Sequence, residues 1–177
     1  MASRVLSDVT SAAGLILLAL SACADDELVW STVKRQIHKE LPKVRHISGD
    51  ELSARLESAE RSPLVLDVRQ LEEYEVSHLR GAIHVEPGAA EPLAGMDIDR
   101  HMPTVTYCSV GYRSAQLAHR LEELGFTDVA NLEGSIFEWA NRGRPVVRDG
   151  VEVRQVHPYN RRWGRLLDAE LHAYAPE

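Results

Sequence analysis

The sequence predicts an α/β fold, a three-layer domain with a mainly parallel central sheet flanked by helices. Short apolar or β-branched runs alternate along the chain with segments of helical periodicity, which is typical of such a sheet. The length of 177 residues corresponds to about one domain, and no internal repeat divides it. A hydrophobic content of 44% and a charged content of 27% are ordinary for a globular protein. The net charge of −7 argues against a general nucleic-acid-binding protein.

The first 23 residues have the layout of a secretory signal peptide, with Arg4 before an apolar stretch and small residues after it. The stretch is too short to predict a membrane span. Residues 20–23 resemble the bacterial lipobox, in which Cys23 would be lipidated. Export predicts a protein of the bacterial cell envelope, either periplasmic or tethered to the membrane through Cys23. Because Asp8 weakens the signal, the alternative is a packed N-terminal helix in a cytoplasmic protein.

Two helices are predicted before the first long strand. Apolar spacing indicates the first over 27–40, and Pro42 lies beyond its end. The second begins at a capping box formed by Ser48 and Glu51. The side chains expected to face the core are Leu28, Val33 and Ile37 in the first helix and Leu52 and Leu56 in the second.

Three short runs are predicted to be buried strands. Leu64–Asp67 is continuously apolar and ends in a carboxylate, and Thr104–Tyr107 is β-branched and aromatic. Val129–Leu132 forms the third run. Between the first and second runs, residues 86–103 are rich in Pro, Gly and acidic residues, which predicts a loop with at most one helical turn.

Two further helices are predicted on either side of the third strand. The earlier one runs from Ser114 to a stop at Gly125, and the later one covers Ser135–Asn141. Their apolar positions are Leu117, Leu121 and Leu124 in the earlier helix and Phe137 and Trp139 in the later one.

Cys108 lies between a predicted strand and a predicted helix. At such a junction the unpaired N–H groups and the dipole of the helix favour an anion, so the reactive thiolate is stabilised. Gly111 permits a backbone conformation in which successive N–H groups form an anion cradle, and Arg113 adds a permanent cation. The alternative is a buried cysteine that acts as a small hydrophobe, followed by a surface arginine.

Three blocks of the sequence resemble the rhodanese-like sulfurtransferases. Cys108-x-x-Gly111-x-Arg113, followed by Ser114, is similar to the active-site loop of that family. Residues 66–84 are similar to the LDVR…EY…H…GA..H region, with Ser77 and Arg80 where Gly and Pro are usual. Residues 125–139 resemble its third block. The blocks follow the order of the family and cover roughly residues 44 to 147.

The resemblance implies a sulfurtransferase with Cys108 and Arg113 as catalytic residues. The Cys108 thiolate would take sulfur from a small anionic donor, such as thiosulfate or a persulfide, and become a persulfide itself. An acceptor, either cyanide, a thiol or a protein cysteine, would then remove that sulfur. No metal ligand spacing appears, so neither a metal nor another cofactor is expected. The residues expected to contact the donor are Ser109, Val110, Gly111, Tyr112, Ser114, Asp67 and Arg69.

The length of the loop favours sulfur transfer over phosphate chemistry. Four residues separate Cys108 from Arg113, as in sulfurtransferases, whereas the related dual-specificity phosphatases have five. No aspartate follows in the loop to act as a general acid. The alternatives are a rhodanese-fold module that binds a partner or senses oxidants without catalysis, and a relative of the phosphatases or arsenate reductases.

Asp67 and Arg69 are predicted to lie near the loop, because the carboxyl ends of parallel strands form the ligand-binding edge of such sheets. The alternative is a structural ion pair or a hydrogen bond that braces the loop, and this is the favoured interpretation for both residues. His78 is interpreted as a turn-stabilising or half-buried histidine rather than a general base.

The C-terminal segment carries several aromatic side chains and is predicted to pack on the domain. The alternative hypothesis is that Tyr159 and Trp163 act as a lid or dock a partner near the active site. An arginine cluster at 154–165 is interpreted as a solvated face. The chain is therefore predicted to contain a signal segment at 1–23, a helical lead-in at 24–43, the main domain at 44–147 and a tail at 148–177.

Overall fold

The computed structural model describes residues 26–58, 62–89, 93 and 95–176. The predicted signal segment and Cys23 lie outside these residues, so export and lipidation stay predictions. None of the helices in the described ranges combines the length and the apolar character needed to cross a membrane.

A five-stranded parallel sheet forms the centre of the fold. Its strands are β1 (His46–Ile47), β2 (Leu64–Asp67), β3 (Ile83–His84), β4 (Thr104–Tyr107) and β5 (Val129–Leu132). They are arranged in the order β1-β5-β4-β2-β3, and every neighbouring pair is parallel. The predicted α/β fold with a mainly parallel sheet is therefore confirmed. All residues of β4 and β5 are buried, including the polar Thr104, Thr106 and Asn131, because both strands lie inside the sheet.

In the described part of the chain, five α-helices flank the sheet. They are α1 (Asp26–Glu40), α2 (Gly49–Glu57), α3 (Leu71–Val76), α4 (Tyr112–Glu123) and α5 (Ser135–Asn141). The predicted capping box is present at α2, where the Glu51 N–H donates to Ser48 Oγ and the Ser48 N–H donates to the Glu51 carboxylate, both at 3.1 Å. Leu52 is fully buried behind this cap and Leu56 is partly buried against the core.

The inward face of α1 differs from the prediction at its first turn. Val29, Val33 and Ile37 are buried, but Leu28 is 59% exposed. The prediction for Leu28 is wrong because Val33 follows it by five positions, and at about 100° per residue the two fall on different faces of a helix. A spacing of four keeps Val29, Val33 and Ile37 on one face.

The ends of α4 also differ slightly from the prediction. The helix begins at Tyr112, two residues before the predicted start, and Leu117 and Leu121 are buried as expected. Leu124 is 40% exposed because it is the C-cap residue rather than part of the buried face. Gly125 follows with φ +90°, a conformation that suits glycine at a helix end. Residues 86–103 contain turns but no helix in their described part.

The C-terminal segment packs on the sheet domain after a hairpin of β6 (Val146–Arg148) and β7 (Val151–Val153). Short 3-10 helices follow at Trp163–Leu166 and Ala169–Leu171. A bridge between Val156 and His172 closes the segment on itself. Its residues in the main hydrophobic core are Val156, Leu166, Leu167 and Leu171.

Candidate active site

Cys108 directly follows β4 and lies beside the amino end of α4. The Gly111 N–H donates a hydrogen bond to Cys108 Sγ at 3.2 Å, and the Cys108 N–H donates to Ser135 Oγ at 3.1 Å. The thiol thus faces a backbone donor where the partial positive charge of a 12-residue helix is concentrated. This arrangement stabilises a thiolate.

The backbone of Gly111 adopts φ +111°, which side-chain-bearing residues rarely adopt. Its carbonyl accepts a hydrogen bond from Asn131 Nδ2 at 3.2 Å, and Asn131 Oδ1 accepts one from Ser114 Oγ at 2.7 Å. The neighbouring strand β5 therefore braces both ends of the turn that presents the N–H group to the thiol. Asn131 is a buried amide inside a predicted strand, and that unusual position is the signal that the sequence offered for it.

Arg113 is held by a buried carboxylate, Glu73, at the start of α3. Its Nη1 and Nη2 groups donate to the two Glu73 oxygens at 3.1 and 3.2 Å, and Nη2 also donates to Ser109 Oγ at 2.9 Å. The Ser109 hydroxyl donates to Glu73 at 2.7 Å, which closes the network. Glu73 has no role among the sequence-based predictions, although it belongs to the 66–84 block that resembles the family.

The charges around Cys108 shift its ionisation. Burial favours the neutral thiol, but Arg113 and hydrogen bonds from Ser114 and Gly111 outweigh it, so the pKa of Cys108 lies below its ordinary value. Burial also opposes ionisation of Glu73, yet Arg113 lowers the pKa of this carboxyl below its usual range. The site therefore contains an ionised Glu73, a cationic Arg113 and a thiol that ionises readily.

We expect the rate at which iodoacetamide alkylates Cys108 to rise with pH, with its midpoint below about 8.5, the pKa of an ordinary cysteine. The thiolate is the reactive form, so a lowered pKa keeps the rate high until the pH falls through that lowered value. The measurement is the alkylation rate of the Cys108 peptide by mass spectrometry across pH, with Cys108→Ala as the blank. A midpoint at or above that of free cysteine would contradict this expectation.

A pocket of about 170 Å³ opens at the Cys108 loop. Residues 159 and 163 of the C-terminal segment form one side of it, and the Tyr159 ring centroid lies 4.9 Å from Arg113 Cζ. The C-terminal segment therefore packs on the core and also reaches the site. A lid or partner-docking role would need such a contact. Gly111 and Ser114 do not line the pocket; the Gly111 N–H donates to Cys108 and the Ser114 hydroxyl donates to Asn131. The lining residues are Cys108, Ser109, Val110, Tyr112, Arg113, Tyr159 and Trp163.

Asp67 and Arg69 lie beneath the site as a buried ion pair rather than in the pocket. Both side chains are 0% exposed, and Arg69 Nη2 donates to Asp67 Oδ2 at 2.6 Å and to the Ser77 carbonyl at 2.6 Å. The Tyr107 hydroxyl donates to Asp67 at 2.5 Å. Since no atom of either member of the pair is exposed, we assign them to bracing and not to donor contact. His78 stacks on Tyr74 at 3.9 Å, remote from the pocket lining.

One group of possible metal ligands lies among the described residues, formed by His38, His46 and Glu133. The two imidazole rings stack at 4.1 Å with an interplanar angle of 19°, so their nitrogen lone pairs lie in two nearly parallel planes. Lys34 Nζ lies 3.7 Å from a Glu133 carboxylate oxygen and compensates its charge. His38 Nε2 pairs with Glu133 at 2.9 Å, whereas His46 Nε2 is buried without a hydrogen-bond partner.

A family model for the rhodanese-like domain matches residues 48–142, more than half of the chain. The chain belongs to the rhodanese-like family. The matched region contains the Cys108 loop, Glu73 and Asn131, so the rhodanese-like domain accounts for the thiol and its bracing. Residues 159 and 163, which complete the pocket, lie beyond it.

Relatives of this rhodanese-like protein include a sulfurtransferase from Allochromatium vinosum, 33% identical over 104 residues, which cover 59% of this chain and 95% of the relative. A protein of Mycobacterium tuberculosis named "Probable adenylyltransferase/sulfurtransferase MoeZ" is 33% identical over 102 residues, but the match covers 56% of this chain and only 25% of that one. The chain therefore spans about a quarter of the length of MoeZ. The solution structure of a polysulfide-sulfur transferase homodimer from Wolinella succinogenes is 26% identical, covers 71% of this chain and 94% of its own, and has a TM-score of 0.55. Each of these three proteins is named as a sulfurtransferase or a sulfur transferase.

Proposed function

We propose that the protein is a sulfurtransferase that carries the transferred sulfur as a persulfide on Cys108. The observation that carries the proposal is a buried thiol of lowered pKa that accepts the Gly111 N–H at the amino end of α4. A thiolate held by preorganised donors is the nucleophile that sulfur transfer needs. The same donors stabilise the negative charge of the persulfide that forms.

The reaction is a double displacement whose atoms and charges balance. With thiosulfate, the Cys108 thiolate attacks the outer sulfur, a new S–S bond forms, and the original S–S bond breaks to release sulfite. With an organic persulfide, the same attack releases a thiolate. Cyanide or an acceptor thiolate then attacks the terminal sulfur and regenerates the Cys108 thiolate.

The surroundings of Cys108 favour sulfur over phosphoryl transfer for a second reason besides the four-residue spacing. A phosphatase needs an acid that protonates the departing alkoxide. Glu73 is the carboxyl group in the hydrogen-bond network of the loop. It accepts hydrogen bonds from Arg113 and has a lowered pKa, so it stays ionised. Sulfite and thiolates are stable anions and leave without a proton.

Intact-mass measurement after incubation with a sulfur donor tests the proposal. We expect thiosulfate or glutathione persulfide to add the mass of one sulfur atom to Cys108, and cyanide to remove it with release of thiocyanate. Cys108→Ala is expected to show no cyanide-labile sulfur.

Two other results would replace the proposal. Failure of both donors to form the adduct on folded protein would favour a module that binds a partner without catalysis. Hydrolysis of an aryl phosphate that depends on Cys108 would favour the phosphatase relative.

A further inference from the structure

We propose that Tyr159 and Trp163 make the Cys108 pocket selective for an organic persulfide with a small, uncharged apolar group, in preference to thiosulfate. This inference rests on the proposed function, since it concerns which donor delivers sulfur to Cys108. The two residues are specificity-determining: they line the pocket from a segment that contributes neither the nucleophile nor its cradle.

The charge at the pocket is unfavourable for a dianion. Arg113 is its cationic lining residue, and both Glu73 oxygens accept hydrogen bonds from it. The thiolate, the guanidinium and the Glu73 carboxylate sum to one negative charge. Glu40 adds another carboxylate nearby, because it accepts a hydrogen bond from Tyr112 at 2.8 Å. The backbone donors of the loop already hold the thiolate, so thiosulfate with its two negative charges meets a net negative side-chain charge here, whereas an uncharged organic group does not.

The lining of the pocket suits an apolar group. Tyr112, Tyr159 and Trp163 present aromatic rings and Val110 an aliphatic side chain around the loop. The Tyr159 ring also covers one side of the Arg113 guanidinium at 4.9 Å, which reduces its access to an incoming anion. The volume of about 170 Å³ is close to that of an apolar cavity of roughly 150 Å³ that holds benzene in another protein. A group about the size of one phenyl ring therefore fits.

The aromatic side of the pocket is held in place by local hydrogen bonds. Asn160 Oδ1 accepts the N–H groups of Arg162 and Trp163, both at 3.0 Å. Tyr159 has φ +62°, which is uncommon for a residue with a side chain, and its N–H donates to His157 Nδ1 at 3.0 Å. A strained backbone conformation of this kind persists only where the surrounding contacts hold it. The aromatic side of the pocket is therefore in place before a donor binds.

The donor step for such a substrate is balanced. The Cys108 thiolate attacks the outer sulfur of R–S–SH, the bond between the two donor sulfurs breaks, and R–S⁻ leaves. The proton stays on the transferred sulfur until it ionises. No oxidant or reductant takes part, and the apolar group R remains in the aromatic pocket while its thiolate departs.

The test compares benzyl persulfide, released from a precursor, with thiosulfate as donor. The readout is the second-order rate constant for persulfide formation on Cys108, measured by quenched-flow mass spectrometry without an acceptor. The relevant quantity is the rate constant with benzyl persulfide divided by that with thiosulfate. We expect Trp163→Ala and Tyr159→Ala each to lower this ratio by about ten-fold, the effect of losing one good aromatic contact. Because the ratio is compared between variants, the different intrinsic reactivities of the donors cancel.

Matched controls separate selectivity from folding. Val151→Ala removes an exposed apolar side chain of the tail that does not line the pocket, and it is expected to leave the ratio unchanged. Trp163→Phe keeps an aromatic ring and is expected to retain most of the ratio. Tyr159 is 41% exposed, so its replacement gives a folded variant even if Trp163→Ala does not.

Three outcomes would overturn the inference. A ratio that both alanine variants leave unchanged would show that the aromatic side does not select the donor. A wild-type constant for thiosulfate equal to or above that for benzyl persulfide would reverse the proposed preference. If no donor forms a persulfide on Cys108, the proposed function itself fails, and this result is distinct from an altered ratio on an active protein.

Discussion

Replacing Arg113 by glutamine is expected to lower the rate constant of persulfide formation on Cys108 by about 100-fold, the effect of losing one preorganised charge-stabilising donor. Arg113 is the main cause that lowers the pKa of Cys108 against burial, so the thiol pKa should rise in the variant. The rate falls at neutral pH for both reasons. The measurement is the persulfide-formation rate together with the pH profile of alkylation.

A second variant separates chemistry from stability. Arg113→Gln alone leaves Glu73 buried without its cation, which also destabilises the fold. In Arg113→Gln/Glu73→Gln both charges are absent, so we expect the free energy of unfolding to recover and the Cys108 pKa to fall back in part, while the rate stays low. Glu73→Gln alone is expected to lower the Cys108 pKa further, because a negative charge near the thiolate is removed. Arg113→Gln at wild-type rate would contradict a catalytic role for the guanidinium.

Arg69→Met is expected to reduce the free energy of unfolding by roughly 3–5 kcal/mol, the usual cost of removing one member of a buried ion pair. The Asp67 carboxylate is 0% exposed and would lose the guanidinium that compensates its charge. The Ser77 carbonyl would lose its donor as well. The measurement is urea unfolding followed by circular dichroism, with the midpoint and slope compared to those of the wild type.

Two comparisons make this prediction specific. Arg69→Met/Asp67→Asn removes both charges and should be less destabilised than Arg69→Met alone. Arg80→Ala breaks an exposed pair with Glu152, whose side chains are 58% and 65% exposed, and should cost less than about 1 kcal/mol. If Arg69→Met unfolds at the same urea concentration as Arg80→Ala, the buried pair is not a stabilising element.

The order of elements and the chemistry of the loop could be predicted from the sequence because both depend on local patterns. β4, Cys108, Gly111 and the start of α4 are consecutive, so the position of the thiol at a helix amino end follows from neighbouring residues. The α2 capping box is local in the same sense. The prediction that Leu28 faces the core is wrong, because Leu28 and Val29 are adjacent apolar residues and only Val29 lies on the inward face of α1.

Contacts between distant segments could not be predicted in this way. Glu73 lies 40 residues from Arg113 in the chain, and its local sequence does not show which distant side chain it binds. Only the helical phase of α3 decides that Glu73 turns inward while Glu72 stays exposed. Tyr159 reaches the loop through a segment whose path depends on the packing of Val156, Leu166 and Leu171 into the core.

The loop around Cys108 is also contacted by residues outside the 48–142 stretch that defines the family. Ile37 and Glu40 of α1 approach Gly111 and Tyr112 from one side, and residues 159 and 163 complete the pocket from another. Under the proposed function, the reactivity of the thiol and the choice of donor are therefore encoded in separate stretches of the chain. Exchanging the tail between members of the family would then change the donor without altering the residues that hold the nucleophile.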